Sequence, residues 1–151
     1  MIEVVNRQRL IPVDSGRIEA LGRALLRAAA KNETRAACIA IVRDRLIREL
    51  NRRHRGLNRA TDVLSFPSGG STQEDRSSVA MTGDEMEGYL GDVVISAETA
   101  VRQAAEAGHT VEREIDELVI HGLLHLCGYD HATDQGEMNK LELRFRRKLL
   151  D

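Results

Sequence analysis

A chain of 151 residues that is 42% apolar fits one domain, 1–151, able to bury roughly two thirds of its unfolded surface. No apolar run reaches the ~18 residues of a membrane span, and the N-terminal "MIEVVNRQRL" lacks the apolar core of a secretory signal, so a cytoplasmic protein is expected. A net charge of −2, from 22 basic and 24 acidic residues, excludes a uniformly basic nucleic-acid binder, and two cysteines do not make a disulfide framework.

"MIEVVN" reads as a first strand. Asp14 or Ser15 can cap a helix with Ile18, Leu21, Leu25 and Ala29 on one face. "AACIAIV" is a continuous apolar run, the pattern of a central strand, with Cys38 inside it as a small buried hydrophobe. Asp44 can cap a second helix, placing Leu46, Ile47 and Leu50 inward and its arginines outward. "TDVLSF" and "YLGDVVIS" read as two more strands. Between them Pro67 to Gly88 is rich in Gly, Ser, Thr and acid, which predicts a long mobile loop.

Ser96 can cap a helix running towards Gly108. Thr110 can cap the next, with Glu112 and Glu114 at the positive end of its dipole. Its apolar stripe is Val111, Ile115, Leu118, Val119, Leu123 and Leu126, and Gly128 is placed to end it in a left-handed conformation. A last helix shows Met138, Leu141, Phe145 and Leu149 on one side. The order β-α-β-α-β-β-α-α-α implies an α+β domain: one mixed four-stranded sheet packed with about five helices.

Three of the five histidines fall in "HGLLHLCGYDH", residues 121–131. At about 100° per residue, His121 and His125 lie ~40° apart on the helix at 110–127, where the apolar stripe meets solvent. The chain breaks at Gly128, and His131 can return as a third ligand. Three neutral nitrogens on Zn²⁺, with the fourth position open, make a catalytic geometry rather than a closed structural one. Imidazole also suits Ni, Cu and Fe. Cys127 reads as packing at a helix end, with a ligand role as the alternative. His54 and His109 stand alone and read as ordinary.

Zinc peptidases of similar spacing carry H-E-x-x-H, where Glu is the general base. Here Gly122 fills that position. A divalent ion with three neutral ligands keeps its full charge, which suits an anionic phosphodiester better than a peptide. The charge distribution agrees: residues 1–60 hold 13 Arg and one Lys against six acids. "RELNRRHRGLNR" gathers Arg48, Arg52, Arg53, Arg55 and Arg59 into a candidate phosphate-binding patch.

On three blocks the sequence resembles the YbeY family of metal-dependent endoribonucleases that mature ribosomal RNA. "HGLLHLCGYDH" matches the family's His-Gly-x-Leu-His-Leu-x-Gly-Tyr-Asp-His signature, "TDVLSFP" its Thr-Asp-Val-Leu-Ser-Phe block, and "LGDVVIS" its Leu-Gly-Asp strand. The resemblance implies His121, His125 and His131 as metal ligands. It places the family's functional arginine on Arg55, within "LNRRHRG", where His54 stands in place of the usual aromatic. Arg59 is the second candidate. The charge of the basic segment, apart from the resemblance, makes Arg52, Arg53 and Arg59 candidate contacts along the RNA backbone. "MNKLE", 138–142, resembles the family's Met-x-x-x-Glu stretch.

The implied activity is cleavage of single-stranded RNA at the 3′ end of small-subunit rRNA, with a part in ribosome quality control. The small ribosomal subunit is the implied partner, with no membrane and no DNA. Arg55 would hold the phosphate as charge builds. Asp62 and Asp92 read first as turn or sheet-edge residues, and second as orienters of the site. Two rival readings stand beside this one. One is a metallopeptidase-like or other metal hydrolase; the other is a ribosome-associated RNA-binding module with a structural metal.

Overall fold

In the computed structural model, which describes residues 1–29, 35–68, 88–129 and 136–151, the elements follow the order the sequence implies. They are β1 (Ile2–Asn6), α1 (Ser15–Ala29), β2 (Ala36–Val42), α2 (Asp44–Arg55), β3 (Val63–Pro67), β4 (Tyr89–Ser96), α3 (Ala97–Ala107), α4 (Val111–Leu126) and α5 (Glu137–Leu149). The sheet order is β1-β2-β4-β3. Strands β1, β2 and β4 are parallel and β3 runs antiparallel on β4. The domain is therefore α+β with one mixed sheet. Nearly all of the acidic segment between Pro67 and Gly88 falls outside the described residues, as does His131.

The two central strands are buried on both faces, which is why β2 reads as an unbroken apolar run. Pro67, which cannot donate to a ladder, ends the edge strand β3. On one face α1 and α4 pack against the sheet, joining Ile18 and Leu25 to Ile39, Val93, Ile95, Val119 and Leu123. On the other face α2 sets Ile47 and Leu50 against Ala40, Val42, Leu64 and Val94. Ile115, Leu118, Val119 and Leu123 are each at most 6% exposed. Together they contribute on the order of 10 kcal/mol gross, at ~1.5–3 kcal/mol each. That anchorage lets α4 carry polar side chains on its rim. Arg17 of α1 adds an ion pair to Asp116 of α4, 2.6 Å to Oδ1.

The helix ends follow the expected chemistry with one exception. Asp14 Oδ1 accepts from Arg17 N at 3.1 Å, Ser96 Oγ from Thr99 N at 3.3 Å, and Thr110 Oγ1 from Arg113 N at 3.1 Å. Asp44 is the exception. Arg43, in extended conformation, occupies the cap position of α2, and Asp44 is already helical. Its carboxylate instead accepts from Ser96, from Thr99 Oγ1 at 2.7 Å and from Arg102 at 2.9 Å. Glu98 of α3 does the capping, accepting from Asp44 N at 2.9 Å and from Arg43 Nε at 2.8 Å. A carboxylate from another helix satisfies the orphan donor.

Cys38 is 1% exposed. Burial, with Asp92 and Glu3 adding to it, pushes its thiol up to about 12, as befits an unreactive core residue. No helix among the described residues is long and apolar enough to cross a membrane.

Candidate functional site

Helix α4 approaches the sheet closely at one residue. A Cβ on Gly122 would stand 2.5 Å from Val93 Cγ1, so only glycine lets the helix sit this near β4. Ser65 Oγ of β3 donates to Gly122 O at 3.1 Å. The close seat brings His121 and His125, on the half-buried rim of α4, up to the edge strand. Their ring centroids lie 4.7 Å apart with an interplanar angle of 61°, which places both imidazoles side by side as the helical spacing implies. They line a cleft of about 640 Å³ together with Arg55, Thr61, Asp62 and Ser65.

The helix carrying them stops where expected. Gly128 adopts φ +99°. Tyr129 N donates to Leu124 O at 3.1 Å and Gly128 N to His125 O at 3.0 Å, the paired bonds of a glycine-ended helix. Tyr129 and Gly128 border the same cleft, so the chain leaves α4 at the cleft's edge. Among the described residues no three or more metal-ligating side chains converge. The third histidine of the expected set, His131, lies outside those residues.

One partner of the histidines was not identified as functional from the sequence. Glu142 of α5, 5% exposed, meets His121 through Oε1 and Nδ1. Its other oxygen accepts from Arg146 Nη2 at 2.9 Å, and Arg146 Nη1 reaches Glu117 of α4 at 3.0 Å. A carboxylate on Nδ1 fixes the ring's orientation and turns its other nitrogen outward. The only signal for it in the sequence was its place in "MNKLE".

Arg55 ends α2, and Gly56 at φ +70° turns the chain back towards β3. This delivers Arg55 to the same cleft as the two histidines, with no carboxylate partner among the described residues. Arg59, the second candidate, lies beyond the turn and lines a different cleft with Arg48. Arg52 is exposed and tied to Glu49 at 2.5 Å. Arg53 is exposed. Neither lines either cleft.

The two aspartates separate. Asp62 borders the cleft; its Oδ1 accepts from Val63 N at 2.8 Å. With its amide nitrogen turned towards them, Gln103 reaches Asp62 Oδ2 at 3.2 Å and Glu114 Oε2 at 3.0 Å. Asp92 is 1% exposed and accepts from the Tyr89 hydroxyl. Alternation from Val94 turns it to the α2 face, away from the cleft. His54 packs edge-on against Phe66, ring centroids 5.0 Å apart, the contact an aromatic would make at that position. His109 bonds Glu114 at 2.7 Å. Cys127 is partly buried, and burial pushes its thiol up.

A family model described as endoribonuclease YbeY matches residues 3–149. The chain is 41% identical to an endoribonuclease YbeY of Moorella thermoacetica over 134 residues, 87% of this chain and 84% of that protein. It is 42% identical to that of Pelotomaculum thermopropionicum over 144 residues, 93% and 88% of the two chains. The solution structure of TM1509 from Thermotoga maritima superposes with a TM-score of 0.61 at 28% identity, covering 99% of this chain and 89% of that one. With a model match over nearly its whole length and relatives above 40% identity, the chain belongs to the endoribonuclease YbeY family.

Proposed function

We propose that the cleft shared by His121, His125 and Arg55 is where this chain hydrolyses single-stranded RNA. Family membership supplies the reaction class: a metal-dependent endoribonuclease acting in rRNA processing. The observation that supports this cleft as the site is the convergence of residues far apart in sequence. The C-terminus of α2 brings a guanidinium, and the rim of α4 two imidazoles, to one concavity. Neutral imidazoles suit a transition-metal ion. A guanidinium suits the phosphate such an ion would face.

His121 and His125, with His131 beyond the described residues, would hold one Zn²⁺ per chain. Bound there, the ion would supply Lewis-acid stabilisation of phosphoryl oxygen charge. Arg55 would hold a non-bridging oxygen pair through its fork. Asp62, kept by Val63 N and Gln103, would border the strand's path. The Arg52, Arg53 and Arg59 side chains would meet backbone phosphates. The proposed substrate is the 3′ end of small-subunit rRNA, met on the small ribosomal subunit in the cytoplasm.

The test uses protein purified without an affinity tag, beside its His125→Ala variant. Metal analysis should find one ion per wild-type chain and a marked deficit in the variant. Wild type should cut single-stranded RNA and leave casein intact. Casein cleavage without RNA cleavage would move the site to the peptidase reading. A His125→Ala protein that keeps both metal and activity would remove the cleft from the chemistry.

Glu142 gives a second expectation. If it orients His121, Glu142→Ala should weaken metal affinity about 10–100-fold. Glu142→Gln should fall between, because its amide oxygen still accepts from Nδ1–H. Chelator competition measures both. Equal affinity in all three proteins would leave Glu142 as a buried ion-pair residue only.

A further inference from the structure

We infer that the cleft beside the catalytic one is a second binding site for the RNA backbone, holding phosphates remote from the bond that is cut. This rests on the reading of the first cleft as the site of RNA hydrolysis. The second cleft, of about 800 Å³, is lined by Arg43, Arg45, Arg48 and Arg59 against Asp44 and Glu98. Both carboxylates already have a basic partner, Arg102 for Asp44 at 2.9 Å and Arg43 for Glu98 at 2.8 Å. Arg45, Arg48 and Arg59 have no carboxylate partner among the described residues. The cleft therefore presents three guanidinium groups whose charge is not balanced locally, on a chain that is acidic overall.

The two clefts share a wall. Asn58, Arg59 and Ala60 line the second, and the next residues, Thr61 and Asp62, line the first. The wall is anchored: Asn51, 2% exposed, donates Nδ2 to Arg59 O at 2.9 Å, and Arg48 Nε donates to Asn58 Oδ1 at 3.0 Å. A strand engaged at the histidines and crossing this wall enters a concavity of guanidinium forks, which match phosphate geometry. Among the described residues no aromatic ring lines it, so they offer bases no stacking platform. The contact is with the backbone and reads no sequence.

The test is equilibrium binding by fluorescence anisotropy across a salt series, with the metal-loaded protein. One probe is a 2′-O-methyl RNA long enough to pass both clefts; the other is a trinucleotide that fills only one. Arg48→Ala/Arg59→Ala removes two phosphate contacts. For the long probe the log–log salt slope should become shallower by about 1.4, at ~0.7 per contact, and affinity near 0.1 M salt should fall about 25-fold. Affinity for the trinucleotide should stay as in wild type. Arg45→Ala/Arg59→Ala, which spares the Arg48–Asn58 bond, should do the same and guards against a folding defect. Arg147→Ala/Lys148→Ala takes two exposed charges from α5, which packs on α4 and α1, across the sheet from α2. It should change the slope far less.

An unchanged slope in both cleft variants, while wild type cuts RNA, would overturn the second site and leave the first standing. A wild-type affinity independent of salt would overturn it as well. So would variants that keep the slope but no longer bind small ribosomal subunits, an outcome that assigns this face to a protein partner.

Discussion

Arg55→Ala should lose RNA cleavage by two to three orders of magnitude while keeping its full metal content. One preorganised donor aimed at developing charge is worth about 10²–10³ in rate when removed, and among the described residues Arg55 is the only arginine lining the cleft of His121 and His125. Arg55→Lys should stay closer to Ala than to wild type, because an ammonium restores the charge but not the two-pronged geometry. The loss should fall mainly on kcat, since the fork is most useful once charge has built on the phosphoryl oxygens. Stability should hardly move: Arg55 is exposed and makes no ion pair among the described residues. The measurement is single-turnover cleavage with metal analysis on the same samples. Arg59 provides the comparison. It lines the neighbouring cleft, so Arg59→Ala should weaken RNA binding and spare the chemical step. Full activity in Arg55→Ala together with inactivity in Arg59→Ala would exchange their roles.

The sequence made α4 legible for physical reasons that are local. Its apolar period, the Thr110 cap and the left-handed Gly128 all act within a turn of their own position, so pattern alone places His121 and His125 on one rim. Asp44 shows where that logic fails. It has the residue type of a cap, yet Ser96, Thr99 and Arg102 claim its carboxylate, and Glu98, 54 residues on, takes the capping role. No window of sequence contains both partners. The arginines fail to sort for a similar reason. Arg55 and Arg59 are four apart, but the left-handed turn at Gly56 intervenes, and they emerge on different clefts. Asp62 and Asp92 look alike as acids of two neighbouring strand blocks; Asp62 falls just before β3 and borders the cleft, whereas Asp92 lies inside β4, on the face Val94 turns to α2. Glu142 is the hardest case. Its pairing with His121 depends on how α5 packs across α4, and only the family-like "MNKLE" stretch drew attention to it.

Gly122 links the site's chemistry to its packing, and its replacement should produce the largest stability loss. In H-E-x-x-H peptidases this position carries the general base. Here its Cβ vector points at Val93 on β4, with 2.5 Å to Cγ1 and 3.0 Å to Cγ2. Those γ-methyls are short branches in the middle of the core and cannot swing aside. Even Gly122→Ala should cost about 1–3 kcal/mol by overpacking, a fall in Tm of roughly 2–4 °C per kcal/mol for a domain of this size. Gly122→Glu should cost more, since it also drives a carboxylate between α4 and the sheet, against the apolar side chain of Val93. The inserted acid would not create a peptidase. It would push α4 off β4 and carry His121 and His125 away from Arg55. A double-mutant cycle isolates the cause. Val93→Ala alone leaves a cavity, but Val93→Ala in the Gly122→Ala background should recover stability, with a coupling energy of about 0.5–3 kcal/mol. Strict additivity of the two substitutions would show that Gly122 is needed for some reason other than this contact. If the coupling appears, the missing glutamate has a steric origin: the helix has come too close to the sheet to hold any side chain there. The closeness that excludes a general base at this position is also what sets both imidazoles beside the edge strand, within one cleft of the guanidinium.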